Sequence, residues 1–290
     1  MMTANDTGRL RPLWQAMILV LLLASAPLWA GEGEARTDDL PPLPDKLGFA
    51  GPLAGVSNGA LLVGGGANFP EALWGEGSKT WHDGLFVLEA GAKEWKTGFR
   101  LPRKLAYGVS ATIAQGVVCA GGSDSERAYA DAFLLQWTGQ DVRVTPLPPL
   151  PAPRAAAAGA VLKGYLYVAG GQAATAETEV TKTFWRLKLP DAKDTAPRWD
   201  QLAWERLDSW PGPPRSQAVA AAQAGKFHLF SGFDLTRAEG DDKPRRRYLN
   251  DAYSYDPARK QWKRLADVPA PAVAAAPAAA CGESHILILG

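Results

Sequence analysis

The sequence has little of what builds metal centres or covalent frameworks. Cysteine occurs twice, at Cys119 and Cys281, and histidine three times, at His82, His228 and His285. Two distant cysteines make no disulfide framework. No paired Cys/His spacing supplies a zinc or copper site, so no metal is expected. Neither sign of charge is in excess: 31 Lys and Arg against 30 Asp and Glu leave a net +1. No broad field therefore attracts nucleic acid or an anionic lipid surface, and any anion the protein binds must be captured locally.

Long apolar runs are confined to the first thirty residues. Arg9 and Arg11 precede an apolar stretch from Trp14 to Leu23, and small residues follow as far as Trp29-Ala30. This is the pattern of an export signal over residues 1–30. The uninterrupted run from Ala16 to Ala26 is shorter than the roughly 20 residues a spanning helix needs. The expectation is a cleaved signal and a periplasmic or secreted protein with no membrane attachment afterwards; an uncleaved anchor is the alternative.

What the chain does have is turns and a recurring strand. It carries 30 Gly, 23 Pro and 11 Trp at 47% hydrophobic content, enough to bury a core while turning often. Leu61-Leu62-Val63-Gly64-Gly65-Gly66, Val117-Val118-Cys119-Ala120-Gly121-Gly122, Leu166-Tyr167-Val168-Ala169-Gly170-Gly171 and Leu229-Phe230-Ser231-Gly232 are copies of one element, an apolar strand running into glycine. Their closing glycines lie 56, 49 and 61 residues apart, near the roughly 50-residue kelch period, and a fifth copy begins at His285. Each copy is followed by a second strand (Leu85–Leu88, Ala132–Leu135, Thr183–Leu187, Ala252–Tyr255) and preceded by a proline-marked turn and a small-residue strand such as Ala155–Leu162. Four short antiparallel strands per unit follow from these alternations.

The fold class read from this is all-β, a kelch-type β-propeller over residues 31–290. Small inner-strand residues let blades approach the axis, so the glycines are structural first. A phosphate-cradling role for Gly64-Gly65-Gly66 lacks the helix and the Lys-Ser/Thr that such a loop needs. The Ala270–Ala280 stretch carries Pro271 and Pro277, which favours an inner strand over a helix. Four full blades and part of a fifth precede Gly290. A ring has to close, so the expectation is a six-bladed propeller here missing on the order of 70 to 100 C-terminal residues.

Loops leaving equivalent strands gather at one mouth of such a ring. Two are long, Ala67 to Asp83 and Phe233 to Asn250, against Ser123 to Ala130 and Gln172 to Lys182. In the first, Asn68, Trp74, Trp81 and His82 form a saccharide kit of polar contact, stacking faces and imidazole, although a His beside Trp is commonly a structural hydrogen-bonder. In the second, residues 238 to 247 concentrate acids and bases. The alternatives are a solvated loop, or a carboxylate and an arginine facing each other across a sugar. Pro-Arg recurs ahead of the inner strand at Arg103, Arg154 and Arg215, which either makes a local positive spot for a substrate or pairs with acids between blades.

Two strings carry a resemblance. Ala54-Gly55-Val56-Ser57-Asn58 with Gly65-Gly66-Ala67, and Ala106-Tyr107-Gly108-Val109-Ser110 with Gly121-Gly122, look like adjacent blades of the N-acetylneuraminate epimerases, or sialic acid mutarotases, with the blade order circularly permuted. That family's proposed functional pair lies in Glu-x-Lys-Pro-x-x-Arg. Here Lys243-Pro244 and Arg247 match its second half, while two extra residues separate Glu239 from Lys243 and strict spacing selects Asp241. The resemblance implies a mutarotase acting on N-acetylneuraminate or a related acidic sugar, with Glu239 as the acid/base and Arg247 as charge partner of the substrate carboxylate, and with no cofactor. A non-catalytic carbohydrate- or protein-binding kelch module is the runner-up reading, since fold alone does not separate them. A copper radical oxidase lacks ligands. The oligomeric state is left open.

Overall fold

The computed structural model describes residues 40–71, 77–175, 179–237, 239–240, 242–273, 279–281 and 284–288. The expected signal segment, Trp74 and Asp241 lie outside the described residues.

Four antiparallel four-stranded sheets follow one another along the chain. Blade 1 is β1 (Leu53–Ser57), β2 (Ala60–Gly64), β5 (Gly84–Glu89) and β6 (Lys96–Arg100), with a two-stranded ribbon, β3 (Ala67–Asn68) and β4 (Thr80–Trp81), inserted between β2 and β5. Blade 2 is β7 (Val109–Ile113), β8 (Gly116–Ala120), β9 (Ala132–Trp137) and β10 (Val142–Leu147). Blade 3 is β11 (Ala158–Leu162), β12 (Tyr165–Ala169), β13 (Phe184–Lys188) and β14 (Trp204–Leu207). Blade 4 is β15 (Val219–Gln223), β16 (Lys226–Phe230), β19 (Ala252–Asp256) and β20 (Gln261–Arg264), again with a ribbon, β17 (Phe233–Thr236) and β18 (Arg245–Tyr248), at the equivalent position. A further hairpin, β21 (Ala279–Cys281) with β22 (His285–Leu287), begins another unit. The Ala-rich stretch thus ends in a strand, as its prolines require.

The four sheets are blades of a β-propeller, because their hydrophobic cores lie between sheets. One cluster joins Leu53, Leu62, Leu85 and Val87 of blade 1 to Val117, Cys119, Phe133 and Leu135 of blade 2. A second joins Val118 and Leu134 to Leu166, Trp185 and Leu187, and a third joins Tyr167 and Phe184 to Phe227, Leu229 and Tyr255. Sheets alternating apolar positions on both faces have no other way to hide them. Inner strands also bond across the seam: Ser110 Oγ on β7 accepts from Ala54 N at 3.0 Å and Thr112 Oγ1 accepts from Val56 N at 2.8 Å.

The repeated glycine pair is explained at the same seams. Gly66 N donates to Leu105 O, Gly122 N to Arg154 O, Gly171 N to Arg215 O and Gly232 N to Ala272 O, at 2.7–3.0 Å. Each pair therefore receives the segment that leads into the next blade. At Gly65 a side chain is excluded: its φ is +68°, and a Cβ there would lie 2.2 Å from Leu105 O. In blade 4 the first glycine is replaced by Ser231, whose hydroxyl earns its place by donating to Leu249 O and accepting from Ala272 N at 2.6 Å.

Candidate functional site

Two residues ahead of every inner strand stands a residue with left-handed backbone: Gly51 (φ 62°), Tyr107 (60°), Ala156 (54°) and Gln217 (50°). They bond in sequence around the axis. Tyr107 N donates to Gly51 O at 2.8 Å, Ala156 N to Tyr107 O at 2.7 Å, and Gln217 N to Ala156 O at 2.9 Å. Non-glycine residues in this conformation are costly and cluster at functional sites. Here the result is a rigid rim of side chains at one end of the channel.

A cavity of about 410 Å³ opens at that rim. Its wall takes Tyr107, Ala156 and Gln217 from the rim, Ser123, Ser125, Gln172 and Thr175 from the segments after the glycine pairs of blades 2 and 3, Lys79 and Trp81 from the first ribbon, and Arg246 from the second. Four blades and both long loops thus meet at one place. The lining is amide, hydroxyl, aromatic and cationic, and among the described residues no carboxylate contributes to it. Lys79 Nζ donates to Tyr107 Oη at 2.5 Å and lies 4.3 Å and 5.0 Å from the ring centroids of Tyr107 and Trp81. Arg246 packs its guanidinium 4.6 Å over Phe233. Among the described residues the buried Trp81 indole N–H and Gln172 amide nitrogen have no partner, a state that costs about 1–3 kcal/mol for each group. A larger recess of about 1050 Å³ lies at the opposite strand ends, where the β7–β8 and β11–β12 turns meet residues 188–203. It is a groove between two neighbouring blades and gathers neither ribbon.

Of the described residues singled out from sequence, Trp81 lines this cavity and the others lie off its wall. Arg154 and Arg215 do occupy equivalent positions, but both are sealed. Arg215 is 0% exposed, bonds Asp251 Oδ2 at 2.8 Å and Ser231 O at 2.9 Å, and is sandwiched by Trp210 and Tyr253. Arg154 stacks over Trp185 and bonds Thr183 Oγ1 and Pro153 O, and burial pulls its guanidinium below the ordinary arginine range. Neither guanidinium lines the cavity: Arg215 is taken up by its pair with Asp251 and Arg154 is buried against Trp185. Arg103 is out of phase altogether. Leu105, not Arg103, stands where Arg154 and Arg215 stand, and Arg103 instead pairs with Asp131 at 2.9 Å over the Tyr129 ring.

His82 and Asn68 bind each other, Nε2 to Oδ1 at 2.8 Å, and Asn68 Nδ2 donates to Gly48 O. With Phe49 edge-on to the imidazole, they knit the base of the first ribbon to the segment leading into blade 1, away from the cavity wall. Arg247 pairs with Asp234 at 2.6 Å, its cross-strand partner in the ribbon. Strand alternation turns its neighbour Arg246 to the other face, and it is Arg246 that lines the cavity. Glu239 is exposed in the turn of the same ribbon and is absent from the cavity wall. Cys119 is buried in β8, where burial pushes its thiol up; among the described residues no cluster of three or more metal-binding side chains occurs.

A family model for N-acetylneuraminate epimerase matches residues 37–144 and 147–290. The chain belongs to that family. Curated relatives named N-acetylneuraminate epimerase include one from Brucella suis, 37% identical over 38% of this chain and 31% of that protein, and one from Pasteurella multocida, 34% identical over 41% and 26%. The chain thus spans about a third or less of the curated relatives it matches. A solved structure described as "Structure of YjhT" superposes with a TM-score of 0.67 at 13% identity, over 83% of this chain and 77% of that one, and shares the fold. Within this epimerase family member, Lys79, Tyr107, Gln217 and Arg246 are among the cavity residues that sequence reasoning missed. Counting two residues back from each inner strand would have found Tyr107 and Gln217; for Lys79 and Arg246 the sequence carries no comparable signal.

Proposed function

We propose that the propeller mouth binds N-acetylneuraminate or a related acidic sugar and interconverts its anomers. The supporting observation is the cavity itself, into which two ribbons from separate blades bring Lys79 and Arg246 among hydroxyls and amides. A guanidinium offers a planar fork matched to a carboxylate, and Arg246 is the carboxylate anchor in this reading. Trp81 and Tyr107 offer aromatic faces to the sugar, while Gln172, Gln217, Ser123 and Thr175 offer hydrogen bonds to its hydroxyls and amide. The name shared by the curated relatives supports the same substrate and reaction. The repeats are of the kelch type, and the protein is exported by its N-terminal segment to meet the sugar outside the cytoplasm. Glu239 and Arg247, the pair implied by resemblance, lie on the same second ribbon that brings Arg246 to the cavity, Glu239 in its turn and Arg247 against Asp234.

Anomer exchange is read directly by NMR saturation transfer. Purified protein is expected to accelerate exchange of N-acetylneuraminate and to leave its methyl ester at the spontaneous rate, because esterification removes the charge that Arg246 holds. Arg246→Met is expected to raise KM at least tenfold. Tight binding of the sugar without acceleration would replace the enzyme by a binding module.

A further inference from the structure

Anomer interconversion at this mouth needs a proton donor for the ring oxygen and an acceptor for the anomeric hydroxyl proton. The wall provides no carboxylate for either task among its described residues, but it provides one hydroxyl held with unusual rigidity. Tyr107 sits on left-handed backbone, bonded at N to Gly51 and at O by Ala156. Its ring lies directly over Gly51, where an added Cβ would come within 2.4 Å of Tyr107 Cδ1. Its hydroxyl accepts from Lys79 Nζ. A phenol has one donor hydrogen and two lone pairs. With one lone pair taken by the ammonium, one O–H and one lone pair face outward.

We propose that Tyr107, positioned by Lys79, is the proton-transfer group of the proposed reaction, acting as donor and acceptor in one hydroxyl. This rests on the anomer-interconversion reading of the mouth. The ring oxygen and the anomeric oxygen share one carbon, so a single hydroxyl reaches both. Tyr107 gives its proton to the ring oxygen as the bond from that oxygen to the anomeric carbon breaks, and the bonding pair stays on the oxygen. The anomeric hydroxyl gives its proton to Tyr107, and its O–H electron pair becomes the carbonyl π bond. Tyr107 ends neutral as it began, and nothing is oxidised or reduced. Rotation about the bond next to the carbonyl and the reverse transfer close the ring on the other face. The Lys79 ammonium stabilises the negative charge that develops on the phenol oxygen at mid-transfer.

The test uses the full chain, with N-acetylneuraminate as the probe, saturation-transfer NMR for exchange and calorimetry for binding. Tyr107→Phe keeps the ring and removes only the hydroxyl. It is expected to lower kcat about 100-fold or more, within the range a general acid–base group contributes, with Kd changed less than about fivefold on the loss of one peripheral hydrogen bond. The loss is expected to exceed that of Glu239→Gln by at least tenfold. Lys79→Met is expected to lower kcat more than it raises KM, and Lys79→Arg to restore part of the loss. Wild-type exchange retained in Tyr107→Phe, or a larger loss in Glu239→Gln, overturns this assignment while leaving the activity intact. Wild-type protein that accelerates no exchange overturns the activity reading and this assignment with it.

Discussion

Arg215 and Gln217 are two residues apart, yet one is the most thoroughly enclosed cation of blade 4 and the other lines the open mouth. Residues i and i+2 of an extended strand share a face. Here the left-handed φ at Gln217 breaks the pleat and sends the two side chains to different places. The same separation recurs between Arg154 and Ala156 and between Leu105 and Tyr107. The first of each pair seals the seam between blades and the second faces the axis, so stability and function occupy neighbouring positions with little in common.

The largest effect belongs to the seam. Asp251→Asn removes the partner of a guanidinium with no solvent contact, and breaking such a buried pair is expected to cost about 3–5 kcal/mol, measured by denaturant unfolding. The pair also makes stability depend on acid. Burial pushes the Asp251 carboxyl up, but hydrogen bonds from Arg215 and Tyr253 and the charge of Arg215 outweigh it, leaving the group below the ordinary carboxylate range. A carboxyl lowered in the fold contributes stability above its unfolded pKa of about 3.9, and that stability drains as pH falls through the folded value. Unfolding scans below about pH 4 should show wild-type protein converging on Asp251→Asn.

A smaller effect separates two glycines at the other position. Gly48 and Gly51 both have positive φ, but Gly48 has nothing within 4 Å of an added Cβ while Gly51 faces Tyr107. Gly48→Ala is expected to cost about 1 kcal/mol of backbone strain. Gly51→Ala should cost more and also displace the Tyr107 ring, lowering the exchange rate; equal stability in the two variants would deny the close approach at the rim. Gln217→Ala should leave stability within about 0.5 kcal/mol while weakening sugar binding several-fold, the reverse of Asp251→Asn. A small change is also expected for Arg247→Ala, whose half-exposed guanidinium pairs with the buried Asp234 and is worth about 1 kcal/mol by thermal unfolding.

Much of the fold was legible because it is written in short-range pattern. Apolar strands ending in glycine, small-residue inner strands and two long loops mark the blades and the ribbons, and each glycine pair meets the next blade at a fixed place. The site was less legible. Pro-Arg marked Arg103 as equivalent to Arg154 and Arg215, but the phase is counted from the inner strand, and on that count Leu105 is the equivalent. In the second ribbon three arginines stand in a row, and a one-residue choice of register decides whether Arg246 or Arg247 turns to the cavity.

The amino-acid order alone determined that this chain forms repeated four-stranded sheets, since strand alternation, glycine and proline act over a few residues and need no distant partner. Only the tertiary structure decided which side chains share the mouth. Lys79 and Tyr107 are brought together across blades 1 and 2, and Arg246 reaches them from blade 4, because the sheets hide their apolar faces by stacking around an axis. Which residue of a loop then faces that axis depends on backbone handedness and cross-strand register, which packing sets and no local motif announces.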